Sequence, residues 1–183
     1  VKGSVINYVF EHIGTKAWEH KMEPLGDKFR ALAEAIERES VLVHRAALID
    51  GYRDIYKFSN LGIDKLIKKA TEYGGRKGAK ILKERYGVIT DRLDEALEIL
   101  TVIAESSRLI DVFEFDIDAM EIKVEGSILV EAVGSSKKPV CEPMAGFFAG
   151  FLGELLGKKV EVKETACAAQ GHEKCIFKIS IKE

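Results

Sequence analysis

Proline is scarce in this chain, with three among 183 residues, and so are cysteine, with three, and tryptophan, with one. So few prolines, beside 46% apolar and 32% charged residues, argue against a disordered chain and for a folded domain. The cysteines are odd in number and all follow residue 140, which argues against a disulfide framework and for a metal or redox group. Long apolar runs are missing as well. The best candidate, Met144 to Leu156, is interrupted by glycines and a glutamate and falls short of the roughly 18 residues that span a bilayer. Nor is there an excess of one charge: 28 Lys and Arg stand against 30 Asp and Glu and are interspersed with them. Without a basic stripe to neutralise phosphates, direct nucleic-acid binding is not expected. No Gly-x-Gly-x-x-Gly occurs, so a dinucleotide site is not expected either. The first residues lack the charged-then-apolar pattern of a secretory signal, and a cytoplasmic location is the expectation.

What is present divides by periodicity. Leu25, Phe29, Leu32, Ala33 and Ile36 recur at helical spacing, and a second apolar stretch runs from Val41 to Tyr56. Asn60 suits the cap of a long helix that reaches Tyr86, broken or tightly packed at Gly74 and Gly75 and ended by Gly87. Thr90 or Asp91 opens a helix with Leu93, Leu97, Leu100 and Ala104 on one face. After Ser107 the spacing turns to alternation, which predicts strands over Leu109–Phe115, Ala119–Glu125 and Ser127–Val133. Asp116 to Asp118 reads as a turn and carries no catalytic assignment. Met144 to Leu156 follows the i, i+3, i+4, i+7 rhythm of a helix, with Pro143 in its first turn and Gly157 as its stop. Strands over Lys159–Ala166 and Lys174–Ile181 close the chain. Helices first, then strands with one helix between them, make an α+β fold. Residues 1–60 form an amino-terminal helical region and a candidate dimerisation element; residues 61–183 form the remaining domain.

Zinc favours tetrahedral sets of thiolate, imidazole and carboxylate, and a structural site takes four protein ligands. Cys141 lies just before a helix start, whose amides and dipole favour a thiolate. Cys167 and Cys175 flank the loop of the last hairpin. Two residues compete for the fourth position. Glu164 shares strand parity with Val160 and Val162, so a core-facing carboxylate there would need a cation or a donor, while His172 lies within the loop itself. The alternative for all three cysteines is a buried, inert thiol.

The run Lys-Pro-Val-Cys141-Glu-Pro-Met-Ala-Gly-Phe-Phe-Ala-Gly-Phe, with Glu164-Thr-Ala-Cys167 and Gly171-His-Glu-Lys-Cys175-Ile-Phe177, resembles the 4-vinyl reductase domain family of predicted hydrocarbon-binding proteins. The similarity covers residues 119–183. It implies amino-terminal helices packed on an antiparallel sheet, similar to the nitric oxide signalling and Golgi transport ligand-binding fold. It further implies structural zinc on Cys141, Glu164, Cys167 and Cys175, since phenol-sensing members hold zinc with three cysteines and one glutamate in this order and spacing. Those sensors hold the phenol hydroxyl with a histidine and a tryptophan; a gapless count puts Arg92 and Met120 there, and phenol itself is not the expected ligand.

On this resemblance the chain is read as a zinc-stabilised sensor or carrier for a small apolar ligand, more readily a binding protein than an enzyme, and a homodimer. The expected pocket wall is Phe113, Phe115, Met120, Met144, Phe147, Phe148 and Phe151. The competing readings are an enzyme or accessory protein of tetrapyrrole or aromatic metabolism, and a structural subunit of a larger assembly. Ala145, Gly146, Ala149, Gly150 and Gly153 occupy the other side of the same helix, where small residues permit close approach of a backbone or a ligand.

Overall fold

A computed structural model describes residues 45–57 and 63–182. The helix expected over 24–39, the start of the apolar stretch at Val41 and the cap at Asn60 lie outside these residues. Three helices come first: α1 (Arg45–Tyr56), α2 (Ile63–Tyr86) and α3 (Leu93–Ser107). They are followed by β1 (Val112–Asp116), β2 (Glu121–Glu125), α4 (Ile128–Val133), α5 (Glu142–Leu156), β3 (Lys159–Ala166) and β4 (Cys175–Lys182). The four strands form one antiparallel sheet in the order β1-β2-β4-β3, which is the α+β arrangement expected.

The sheet's inner face carries Phe113, Ile122, Val124, Phe177, Ile179, Val160 and Val162, all buried. Register places Ile122 opposite Phe177 and Val162 opposite Ile179, so period-two alternation on each strand builds one continuous apolar surface. Helix α5 covers it with Phe148, Phe151, Leu152 and Leu155.

Helix α2 runs through Gly74 and Gly75 without interruption, because it is there that α5 comes closest. A Cβ on Gly75 would stand less than 3.0 Å from the Phe147 carbonyl and the Phe151 amide, one on Gly146 equally close to the Lys68 carbonyl, and one on Gly150 equally close to the Glu72 carbonyl. The small-residue side of α5 is thus spent on a helix–helix contact, backbone against backbone. Gly87 and Gly157 end their helices in the left-handed region, as expected.

Three local expectations are corrected. Ser127–Val133 is not a strand. The Ser127 hydroxyl accepts from the Leu129 amide at 3.2 Å and caps α4, and Ile128, Leu129 and Ala132 are buried on one face at i, i+1, i+4, a helical spacing that seven residues of mostly apolar sequence also let pass for alternation. Met120 does not belong to β2: it closes the β1–β2 turn at φ 53°, where the Asp116 carboxylate accepts from the Ala119 amide at 2.9 Å. Helix α3 opens at Arg92, not at Thr90 or Asp91; Thr90 accepts from the Arg92 amide at 3.1 Å and donates to Glu95 at 2.7 Å, supporting the first turn from outside it.

Candidate metal centre

Helix α5 and the β3–β4 hairpin deliver four donors to one place. Cys141 is the residue that caps the amino terminus of α5, with Pro143 in the first turn. Glu164 stands on β3 with its side chain inward, as its parity with Val160 and Val162 requires, and is only 3% exposed. Cys167 follows at the end of that strand, before a single 3₁₀ turn at Ala168–Gln170, and Cys175 opens β4 opposite Val124. One sulfur from each cysteine and one carboxylate oxygen all lie within 4.8 Å of one another.

The spacing and chemistry can be tested against a metal. A tetrahedron with Zn–S bonds near 2.3 Å has sulfur–sulfur edges of about 3.8 Å; Cys141 Sγ and Cys175 Sγ are 3.6 Å apart. The Cys141 amide donates to Glu164 Oε2 at 2.8 Å, which leaves the other oxygen, Oε1, buried with no hydrogen-bond partner. An orphaned carboxylate oxygen beside three sulfurs is costly unless a cation or proton meets it. The donor set therefore fits a divalent ion of zinc's preference. Around it, the Ala168 amide donates to Cys175 Sγ at 3.3 Å, and Ser127 Oγ lies 3.4 Å from Cys141 Sγ.

Electrostatics agree. Among themselves these acids cannot all ionise. Hydrogen bonds from Cys141 and Cys175 hold the Cys167 thiol well below its usual range, while contact with Cys167 and Cys175 pushes the Cys141 thiol far up. Burial, then the contact with Cys167, pushes the Glu164 carboxyl up to about 8. A bound cation reverses this logic, because it stabilises the deprotonated form of every donor. Just outside, Tyr56 at the end of α1 donates its hydroxyl to the Val140 carbonyl; burial first, then the nearby Cys141, pushes that hydroxyl up, so it stays a donor at neutral pH.

His172 is not brought to the cluster. It is exposed, and its backbone amide, not its ring, reaches Cys167. Of the expected pocket wall, Phe113, Phe148 and Phe151 are buried and Met144 nearly so; Phe115, Met120 and Phe147 are half-buried. Phe148 meets Phe113 and Phe177 edge-on at 5.6 and 5.3 Å, and Phe147 stacks on Phe151 at 6.0 Å. Two surface clefts lie elsewhere. One of about 730 Å³ is lined by Lys68, Glu72, Arg76, Glu142, Glu154 and Glu161 among others, and one of about 340 Å³ by Arg45, Asp111, Ser127, Glu131 and Cys175 among others. Neither touches the expected wall. Sequence reasoning missed Tyr56 and Ser127. For Ser127 the signal was a glycine-serine pair ahead of six mostly apolar residues; for Tyr56, which acts across 84 positions, there was none.

Comparison with known proteins agrees with this geometry. A protein of Methanocaldococcus jannaschii described as uncharacterized is 40% identical over 45 residues, a match that covers 25% of this chain and 28% of that relative's length. The phenol-responsive sensory domain of the transcription activator PoxR, solved with phenol, superposes with a TM-score of 0.58 at 20% identity, covering 79% of this chain and 77% of that one. A trafficking protein particle complex subunit 3 from Naegleria fowleri, covalently bound to palmitic acid, does so with 0.59 at 16% identity, covering 76% and 95%. At these identities the structures show a shared fold. The sequence family is shown by residues 120–181, which match the vinyl-4-reductase domain and include all four converging donors, and over that span the chain belongs to the vinyl-4-reductase domain family.

Proposed function

We propose that the chain is a zinc-stabilised binding module for a small apolar or aromatic molecule, acting as a sensor or carrier and not as an enzyme. The observation that carries it is the buried group of Cys141, Cys167, Cys175 and Glu164 with one carboxylate oxygen unpartnered. These four residues would hold the ion, which supplies a cross-link between the start of α5 and the β3–β4 hairpin. Four protein ligands leave no open position for a substrate, so the role is structural. The apolar ligand belongs elsewhere, against α5. Phe147 and Phe151 offer stacked rings there, with Phe115, Met120, Met144, Phe113 and Phe148 as further wall, a mostly apolar lining of the kind such molecules need. Two proteins of the same fold, one solved with phenol and one bound to palmitic acid, support this reading. The amino-terminal residues 1–60 are the element we assign to homodimer formation. No described helix is long and apolar enough to cross a membrane.

A second reading, a structural subunit of a larger assembly, is favoured by one observation: Phe113, Phe148 and Phe177 fill the space between α5 and the sheet with one another. Native mass spectrometry of protein purified without added metal separates the two. The binding reading expects one zinc per chain, and a mass increment after incubation with aromatic or long-chain apolar compounds. Protein that carries no zinc overturns the metal assignment; zinc-loaded protein that takes up none of these compounds overturns the ligand and favours the assembly. Replacing Glu164 by Gln should lower zinc retention and thermal stability; if only His172→Ala does so, the fourth ligand is misassigned.

A further inference from the structure

One peptide group is held from both sides at the edge of the metal centre. Its carbonyl, that of Val140, accepts from the Tyr56 hydroxyl at the end of α1, and its amide, that of Cys141, donates to Glu164 Oε2 at 2.8 Å. Val140 is 2% exposed and Cys141 is not exposed at all, so water does not stand in for either partner. The peptide orients two donors at once. The backbone of Cys141 sets where its sulfur points, and its amide holds one carboxylate oxygen so that Oε1 is the one left facing the sulfurs. A peptide polarised at its carbonyl also donates more strongly through its amide.

We propose that Tyr56 is a positioning residue for the metal centre, acting through the Val140–Cys141 peptide, and that metal occupancy and the docking of α1 are thereby linked. The inference rests on the zinc reading above. It differs from general packing of α1 because the other polar ties of that helix lead away from the donors: Arg53 donates to the Ala132 carbonyl at 3.2 Å, and Arg45 pairs with Glu131 at 2.9 Å, both on α4. Linkage is reciprocal: whatever holds the Tyr56 hydroxyl on Val140 tightens the metal, and the metal tightens α1 by the same factor. The tyrosine closes the last turn of a helix whose other end leads directly to residues 1–44, so metal loading becomes a condition that the amino-terminal region can register.

The test compares Tyr56→Phe with Arg53→Ala in zinc affinity, read by competition with a chromophoric chelator. Loss of an outer-shell partner typically costs roughly 10- to 100-fold in metal affinity. Tyr56→Phe should weaken zinc by that factor, while Arg53→Ala, which loosens the same helix without touching the peptide, should leave it within about twofold of the parent. Wild-type protein that takes up zinc, with Tyr56→Phe of equal affinity, overturns this inference alone; wild-type protein that takes up none overturns it together with the zinc reading. If Tyr56→Phe does not fold, hydrogen exchange of the wild-type chain decides. Adding chelator should raise exchange along Arg45–Tyr56 while the middle of α2 keeps its protection, and an unchanged α1 overturns the proposal.

Discussion

Helix α5 is fixed in two unlike ways, and the contrast separates what donors do from what missing side chains do. At its amino terminus Cys141 joins Glu164, Cys167 and Cys175 in a group where every polar atom needs a partner, and one, Glu164 Oε1, has none within the chain. Along its length Gly146 and Gly150 meet α2 through carbonyl oxygens and helix backbone, with no polar demand at all. The first anchorage depends on what the solution supplies; the second depends only on the chain. They should therefore fail separately.

The largest effect is expected at the donors. Cys175→Ser, or chelation of the parent, should remove a stabilisation of about 4 kcal/mol or more wherever free zinc exceeds its Kd by about 1,000-fold, which calorimetry reads as a fall in Tm of about 8–16 °C. A Tm that does not move with chelator removes the contrast altogether. Next comes the helix contact. Gly150→Ala places a Cβ against the Glu72 backbone, where only the backbone can yield, and overpacking of this kind costs about 1–3 kcal/mol. Urea denaturation should show that loss while one zinc per chain is retained; loss of the metal as well would mean that the two anchorages are one.

Acidity sharpens the same comparison by its sign. In zinc-stripped protein the Glu164 carboxyl is pushed up to about 8 from an ordinary 4.5, burial being the main cause. A raised pKa favours the folded state below the ordinary value, and that contribution fades as pH climbs through about 8. Stripped protein should thus gain stability from Glu164 on going from pH 8 towards 5. Loaded protein should lose it over the same range, because its donors must be deprotonated to hold the ion. Denaturation midpoints measured in chelator and in zinc check the crossing, and Glu164→Gln should flatten the stripped curve. The smallest effect belongs to Ser127→Ala, which removes the α4 cap and should cost about 1 kcal/mol with zinc unaffected.

Much of this was legible in the residues. The rhythm from Met144 to Leu156 marks α5 because a helix covering a sheet must present one dense apolar side, and the parity of Cys175, Phe177 and Ile179 marks the inner face of β4. The donor group was legible in part: spacing brings Cys167 and Cys175 together across a hairpin, yet it left Glu164 and His172 level, and a resemblance separated them. Helix α4 was misread as a strand because six residues are too short for period two and period 3.6 to diverge, and the decisive hydrogen bond belongs to a serine side chain. The glycines declared close approach without naming the partner. That partner is α2, about seventy residues earlier, a distance over which local pattern carries no information. Tyr56 was silent for the same reason.

The strand order has a consequence in time. Strand β4 lies between β2 and β3, so the centre of the sheet is made after both of its neighbours, and Cys175 emerges 34 residues after Cys141. At ordinary rates of synthesis the gap is roughly 2–7 s. During that interval α5 can already settle on α2 through its glycines, but its aromatic side has no β4 to cover it and its first thiol has no full set of companions. A ribosome that pauses between the two cysteines exposes Phe148 and Phe151 and a lone reactive sulfur together, and the arrival of one strand retires both hazards at once.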